Sequence, residues 1–91
     1  MQIINKKDFY KCSKIRTKTF GNKQTIKFSI LEKVSSYDIA RLFEDNAFYF
    51  YDEVLNSRMI ETYNTKLVGL SITYNDDSTC DIKIKLIKRS V

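Results

Sequence analysis

Between positions 10 and 28 the chain reads YKCSKIRTKTFGNKQTIKF, with a basic side chain at almost every second or third position and no acidic one. Alternate residues of an extended strand share a face, so Tyr10, Lys14, Arg16 and Lys18 line up on one side of it. Lys23, next to the following turn, and Lys27, on the returning strand, are placed to join them. A positive stripe beside an aromatic ring suits phosphate contact with base stacking. The same residues also suit an exposed sheet edge, where lysines prevent edge-to-edge pairing. Residue types alone leave both readings open.

The run FYFY at positions 48–51 is the second candidate. Phe48 and Phe50 point one way and Tyr49 and Tyr51 the other, which offers one pair to a core. The tyrosines then present the rigid amphipathic rings favoured at binding interfaces. Cross-strand packing inside a sheet is the alternative use of such rings.

The other reactive residues lead away from catalysis. Histidine is absent, so no imidazole is available as a general base near neutral pH, and neither GxSxG nor a phosphate-binding loop occurs. Carboxylates adjoin at Glu44-Asp45, Asp52-Glu53 and Asp76-Asp77, but neighbours in a strand face opposite ways and do not converge on one substrate. The turn NDDSTCD sets oxygens at positions 75, 77, 79 and 81; it lacks the central glycine and late glutamate of a calcium loop and fits an Asx-type turn. Cys12 and Cys80 have neither CxxC spacing nor a histidine with which to complete four zinc ligands. They read as small buried hydrophobes, with a disulfide disfavoured in a reducing cytosol. The expectation is a protein without enzymatic activity, metal or cofactor.

Ninety-one residues is the size of one domain, spanning 1–91. With 43% hydrophobic and 30% charged residues, the chain has the apolar content to fold alone. Its net charge of +5 is uneven: eight basic and one acidic residue up to Lys27 give +7, and eight basic and ten acidic residues after it give −2. No apolar run reaches the roughly 18 residues that span a bilayer. The opening residues do not read as a signal peptide, so a soluble, cytoplasmic protein with no membrane partner is expected.

These candidates need a frame to hold them. Residues 9–20 read as one long strand, Gly21-Asn22 as a turn, and residues 25–31 as the returning strand with Ile26, Phe28 and Ile30 on its apolar face. In SSYDIARLFEDN, Ser35 and Asp38 form a capping box, Ile39, Leu42 and Phe43 form an apolar face, and Asn46 ends a short helix. Residues 47–52 and 58–63 make a second hairpin. Residues 67–74 and 79–88 make a third, with Val68, Leu70, Ile72 and Tyr74 matched to Cys80, Ile82, Ile84 and Leu86 while Asp81, Lys83 and Lys85 point away. The fold class is α+β: a mostly antiparallel sheet of five or six strands, with the helix packed across its apolar face and all these rows buried.

The run IKFSILEKVSSYDIARLFEDNAFYFYDE, followed by TYNTKLVGLSITYNDDSTCDIKIKL, resembles a group of small, mostly uncharacterised proteins encoded by phages and prophages of low-G+C Gram-positive bacteria. The shared features are an apolar strand at residues 26–31, a helix ending in Leu42-Phe43, a strand ending in Asp52-Glu53, Thr65-Lys66-Leu67, and a final hairpin. Thr62-Tyr63-Asn64 departs from the acidic-Gly-Tyr step usual in that group. The resemblance implies a phage origin, a bacterial cytoplasm and no particular reaction. It suggests an inhibitor that docks on a host protein or nucleoprotein and blocks it, as anti-defence and anti-CRISPR proteins do. The positive charge argues against mimicry of DNA by carboxylates. The alternatives are a minor virion or tail-assembly component whose sheet edges pair, and a basic accessory protein that binds nucleic acid. A monomer or small homo-oligomer fits each of them.

Overall fold

Period-two alternation builds the longest strands of the structure, a computed structural model that describes residues 1–6, 8–44, 48–59 and 64–89. Strand β1 is Gln2–Asn5, β2 Asp8–Lys11, β3 Arg16–Phe20 and β4 Lys23–Ile30. Helix α1 is Ser36–Leu42, followed by β5 (Tyr49–Asp52), β6 (Ser57–Met59), β7 (Thr65–Tyr74) and β8 (Cys80–Lys88). The class is α+β, but the strands do not form one sheet of five or six. They form two antiparallel four-stranded sheets, ordered β2-β1-β5-β6 and β3-β4-β8-β7.

The correction originates in residues 9–20, which are not one strand. At Cys12 the chain changes sheets: its amide donates to the Met1 carbonyl at 3.0 Å, while the Ser13 amide donates to the Ser29 carbonyl at 2.8 Å. The Ser13 hydroxyl also accepts from the Ser29 amide at 2.9 Å, a bond that a continuous backbone ladder would otherwise supply. Lys14 and Ile15 belong to neither sheet, so Tyr10 and Arg16 lie in different ones. The Gly21-Asn22 turn is as expected, with Gly21 at φ 62, a value a side chain tolerates poorly at the first position of a two-residue hairpin loop.

The inner faces of the two sheets share one core. Ile26, Phe28 and Ile30 of β4 and Cys80, Ile82, Ile84 and Leu86 of β8 are buried with Ile3 of β1, Phe48 and Phe50. Phe28 and Phe50 meet edge to face across the sheets, their ring centroids 5.0 Å apart. Not every row on the final hairpin is covered. A bulge between Leu67 and Gly69 sets Leu67, not Val68, opposite Leu86. Val68, Leu70 and Tyr74 are 49%, 40% and 53% exposed. Strand β7 is the sheet edge and ten residues long, whereas the opposing sheet has strands of four residues or fewer, too short to cover it.

Cys12 pairs with Ile30, and Ile30 with Cys80, so the cysteines stand two strand spacings apart, about 10 Å. That exceeds the reach of a disulfide. Both thiols are buried and free, and burial pushes the Cys12 thiol up to about 11.

The helix begins where its cap predicts. The Ser35 hydroxyl accepts from the Asp38 amide at 3.1 Å, and the Asp38 carboxylate accepts from the Ser35 amide at 2.9 Å. Helix α1 ends at Leu42, with Phe43 as its C-cap; Asn46 lies outside the described residues, as does the stretch from 60 to 63. The β1-β2 hairpin holds the far end of the helix. Asn5 donates to the Leu42 carbonyl at 2.7 Å, and Asp8 takes a two-pronged bond from Arg41 at 2.9 Å.

The capping box makes a pH prediction. The Ser35 amide, and then its hydroxyl, hold the Asp38 carboxyl below its usual range. Thr79 does the same for Asp77. A folded-state value below the unfolded one gives stability that is complete above about pH 4 and is lost as pH falls through the lowered value. Thermal melts of Asp38→Asn should therefore differ most from the parent at about pH 7, with the gap closing as pH falls below about 4. A gap independent of pH would show that the carboxylate charge plays no part in the cap.

Candidate nucleic-acid interface

Strands β4 and β8 each bury one face, which leaves the opposite set of residues on the outer face of their sheet, and β3, exposed along its whole length, continues that face by register. On β3 these are Arg16, Lys18 and Phe20; on β4, Lys23, Thr25 and Lys27; on β8, Lys83, Lys85 and Ile87. Register then sets the rows. Arg16 stands directly opposite Lys27, and Lys27 directly opposite Lys83. In the next row, Lys18, Thr25 and Lys85 run up to Gly69. The last row carries Phe20, Lys23, Ile87 and Lys66. Neighbouring strands lie about 4.8 Å apart and successive rows about 6.6 Å apart, so cations tile the surface at close spacing.

Like charges directly opposite on neighbouring strands destabilise a sheet. The acid on these strands, Asp81, accepts from the Ser29 hydroxyl at 2.6 Å and keeps its charge at the end of the face, two residues from Lys83 on β8. Among the described residues, Arg16, Lys18, Lys23, Lys27, Lys83 and Lys85 make no ion pair. The face also lines an open hollow of about 750 Å³, bordered by Thr25, Phe20 and these side chains. Gly69 lies beside the Lys85 stem, where an added Cβ would make ordinary van der Waals contact at 3.4 Å. Such a surface concentrates polyanions, because every fixed cation neutralises one phosphate and releases its counterion.

Of the residues singled out in the sequence, Arg16, Lys18, Lys23 and Lys27 are brought together here. Lys14 lies beside them in the connecting segment, lining a smaller hollow with Arg16, Lys27 and Lys83. Tyr10 is not in this group. It pairs with Ile3 in the other sheet and packs half-buried against the core, and that burial raises its phenol's pKa. Tyr49 and Tyr51 lie on the outer side of the β2-β1-β5-β6 sheet. The Arg58 guanidinium sits 4.4 Å from the centre of the Tyr49 ring, and the Tyr51 hydroxyl donates to Asn56. The tyrosines and the cations therefore occupy different sheets and do not make one mixed surface.

Lys83, Lys85 and Phe20 complete the face and were not assigned to it from sequence. The alternation of DIKIK marks both lysines as facing away from the core, but only the non-local pairing of β4 with β8 puts Lys83 beside Lys27 and Lys85 beside Thr25. The acidic turn closes on itself: Asp77 accepts from the Thr79 hydroxyl at 2.6 Å and from its amide at 3.1 Å. Asp52 likewise accepts from the amides of Val54 and Leu55. No described helix is long and apolar enough to cross a membrane. No family model matches the chain, and no curated protein or solved structure does.

Proposed function

We propose that the protein works by binding rather than chemistry, laying the outer face of the β3-β4-β8-β7 sheet on the phosphate backbone of a nucleic acid, free or carried in a host nucleoprotein. The row Arg16, Lys27, Lys83 carries this reading. Three cations in direct register oppose one another in the free protein, and an anionic partner converts that repulsion into attraction. Together with the resemblance to phage proteins, this favours a cytoplasmic, phage-encoded inhibitor that covers a nucleic-acid-bearing surface of its target. Charge-driven contact of this kind depends steeply on salt. If the six cations each neutralise a phosphate of a single strand, affinity should fall about 300-fold between about 50 and 200 mM salt. Fluorescence anisotropy with labelled DNA and RNA measures this, and affinity indifferent to salt would count against the reading.

A second reading, an assembly component, is favoured by the β7 edge, ten residues long with Val68 and Leu70 exposed. Such an edge can accept a strand from another chain. Light scattering on a size-exclusion column separates the two: a discrete oligomer supports assembly and a monomer supports the inhibitor.

A further inference from the structure

Phe20 is 84% exposed, the most open aromatic ring among the described residues. It ends β3, an edge strand, immediately before the Gly21 turn. An isolated exposed hydrophobe is ordinary, but this one has a defined place. It stands directly opposite Lys23 on the outer face, one row from Lys18 and about 13 Å along the strand from the row of Arg16. Its neighbours in register, Lys23 and Ile87, flank the same hollow. A ring that served as a lid over Ile87 would be largely covered, and at 84% exposure this one covers little.

We infer that Phe20 is a stacking platform for an unpaired nucleobase, so that the ligand of the basic face is a single-stranded nucleic acid. This rests on the reading that the face binds phosphate. Cations that track a backbone, combined with an aromatic ring open at its face, are the recurring means of holding single strands. A duplex offers the phosphates but not the bases, whose faces are already stacked on one another except at the ends. Lys18, two residues back on the same strand, and Lys23, directly across on β4, hold the phosphates of the stacked nucleotide, and the row of Arg16 takes those further along. The other exposed rings do not combine these features: Phe9 lies on β2 in the other sheet, Tyr74 stands opposite the buried Cys80 at the far end of β7, and the Tyr37 ring on the helix has the Arg41 guanidinium 5.8 Å from its centre.

The test compares oligothymidine and oligouridine of about 15 nucleotides, near the upper end of known site sizes, with a mixed-sequence duplex of the same length. The parent protein should bind at least one single strand more tightly than the duplex. Phe20→Ala should weaken single-strand binding by about 5- to 150-fold, the range for one stacked base, with the salt slope unchanged. It should leave the fold intact, because the ring contributes little to the core. Phe20→Trp should restore affinity. The chain has no tryptophan, so its emission reports position 20 alone and should be quenched on stacking. If Phe20→Ala binds single strands as tightly as the parent while binding remains salt-sensitive, the stacking inference is overturned and the basic-face reading stands. If the parent binds neither single strands nor duplex at about 50 mM salt, both are overturned.

Discussion

Replacing Lys27 with glutamate should make the protein more stable while removing most of its affinity for nucleic acid. Lys27 is the middle member of the row, with Arg16 directly opposite on one side and Lys83 on the other. Cross-strand pairs of this kind contribute about 0.2–1 kcal/mol each, with the sign set by the charges. Glutamate turns two repulsive pairs into two attractive ones. Lysine and glutamate have similar, low strand preference, and position 27 is exposed, so no packing term opposes the change. A net gain of about 1 kcal/mol would raise the melting temperature by about 4–8 °C for a chain of this size. The gain should shrink in high salt, which screens exposed pairs. The same substitution removes a phosphate contact and places a carboxylate in the centre of the site, so the salt slope should become shallower by about one and low-salt affinity should fall more than tenfold. A variant that is less stable and binds normally would mean that the row is only a solvated face.

The largest loss of stability should come from Phe50→Ala. Phe50 is fully buried on the inner face of β5, 5.0 Å from the Phe28 ring of the opposite sheet and 6.3 Å from Phe48. It is thus a point of contact between the two sheets as well as part of a core. Removing a buried phenyl ring costs about 3–5 kcal/mol through lost burial and the cavity left behind, and its two edge-to-face contacts are lost with it. Against a typical total of about 5–15 kcal/mol, that leaves a marginal fold. Urea denaturation of the parent and the variant measures the difference. A loss below about 1 kcal/mol would mean that the sheets do not share a core at this ring.

How much of this was legible in the sequence depended on the range of the signal. Local signals sufficed for the Gly21-Asn22 turn, for the helix start at Ser35 and Asp38, and for the inward phenylalanines and outward tyrosines of residues 48–51. They also sufficed for the apolar row from Cys80 to Leu86. Three features were not local. Strand β1 has only four residues and pairs with β5 across more than forty positions. It turns back to β2 without a glycine or asparagine at its loop. The switch between sheets at Cys12 reverses the in-and-out parity, turning Tyr10 and Cys12 inward but Arg16 and Lys18 outward; alternation carried straight through residues 9–20 therefore grouped Tyr10 with Lys14. The bulge at Val68 reverses the parity of β7 and exposes a side chain that alternation would bury. The candidate site divides in the same way. Charge asymmetry points to Arg16, Lys18, Lys23 and Lys27, whereas adding Lys83 and Lys85 requires the register of β4 on β8, which no spacing within either strand encodes.

Titrating a single-stranded oligonucleotide into isotopically labelled protein, and following the backbone amide resonances by NMR, tests the central claim most directly. The 10.8 kDa mass is well suited to it, and the resonances report each face separately. Binding through the basic face predicts shifts concentrated at Arg16, Lys18, Phe20, Lys23, Lys27, Lys83 and Lys85, which reverse when salt is raised from about 50 to 200 mM. Shifts confined to Tyr49, Tyr51 and Arg58 on the other sheet, or no shifts at the lower salt, would contradict it.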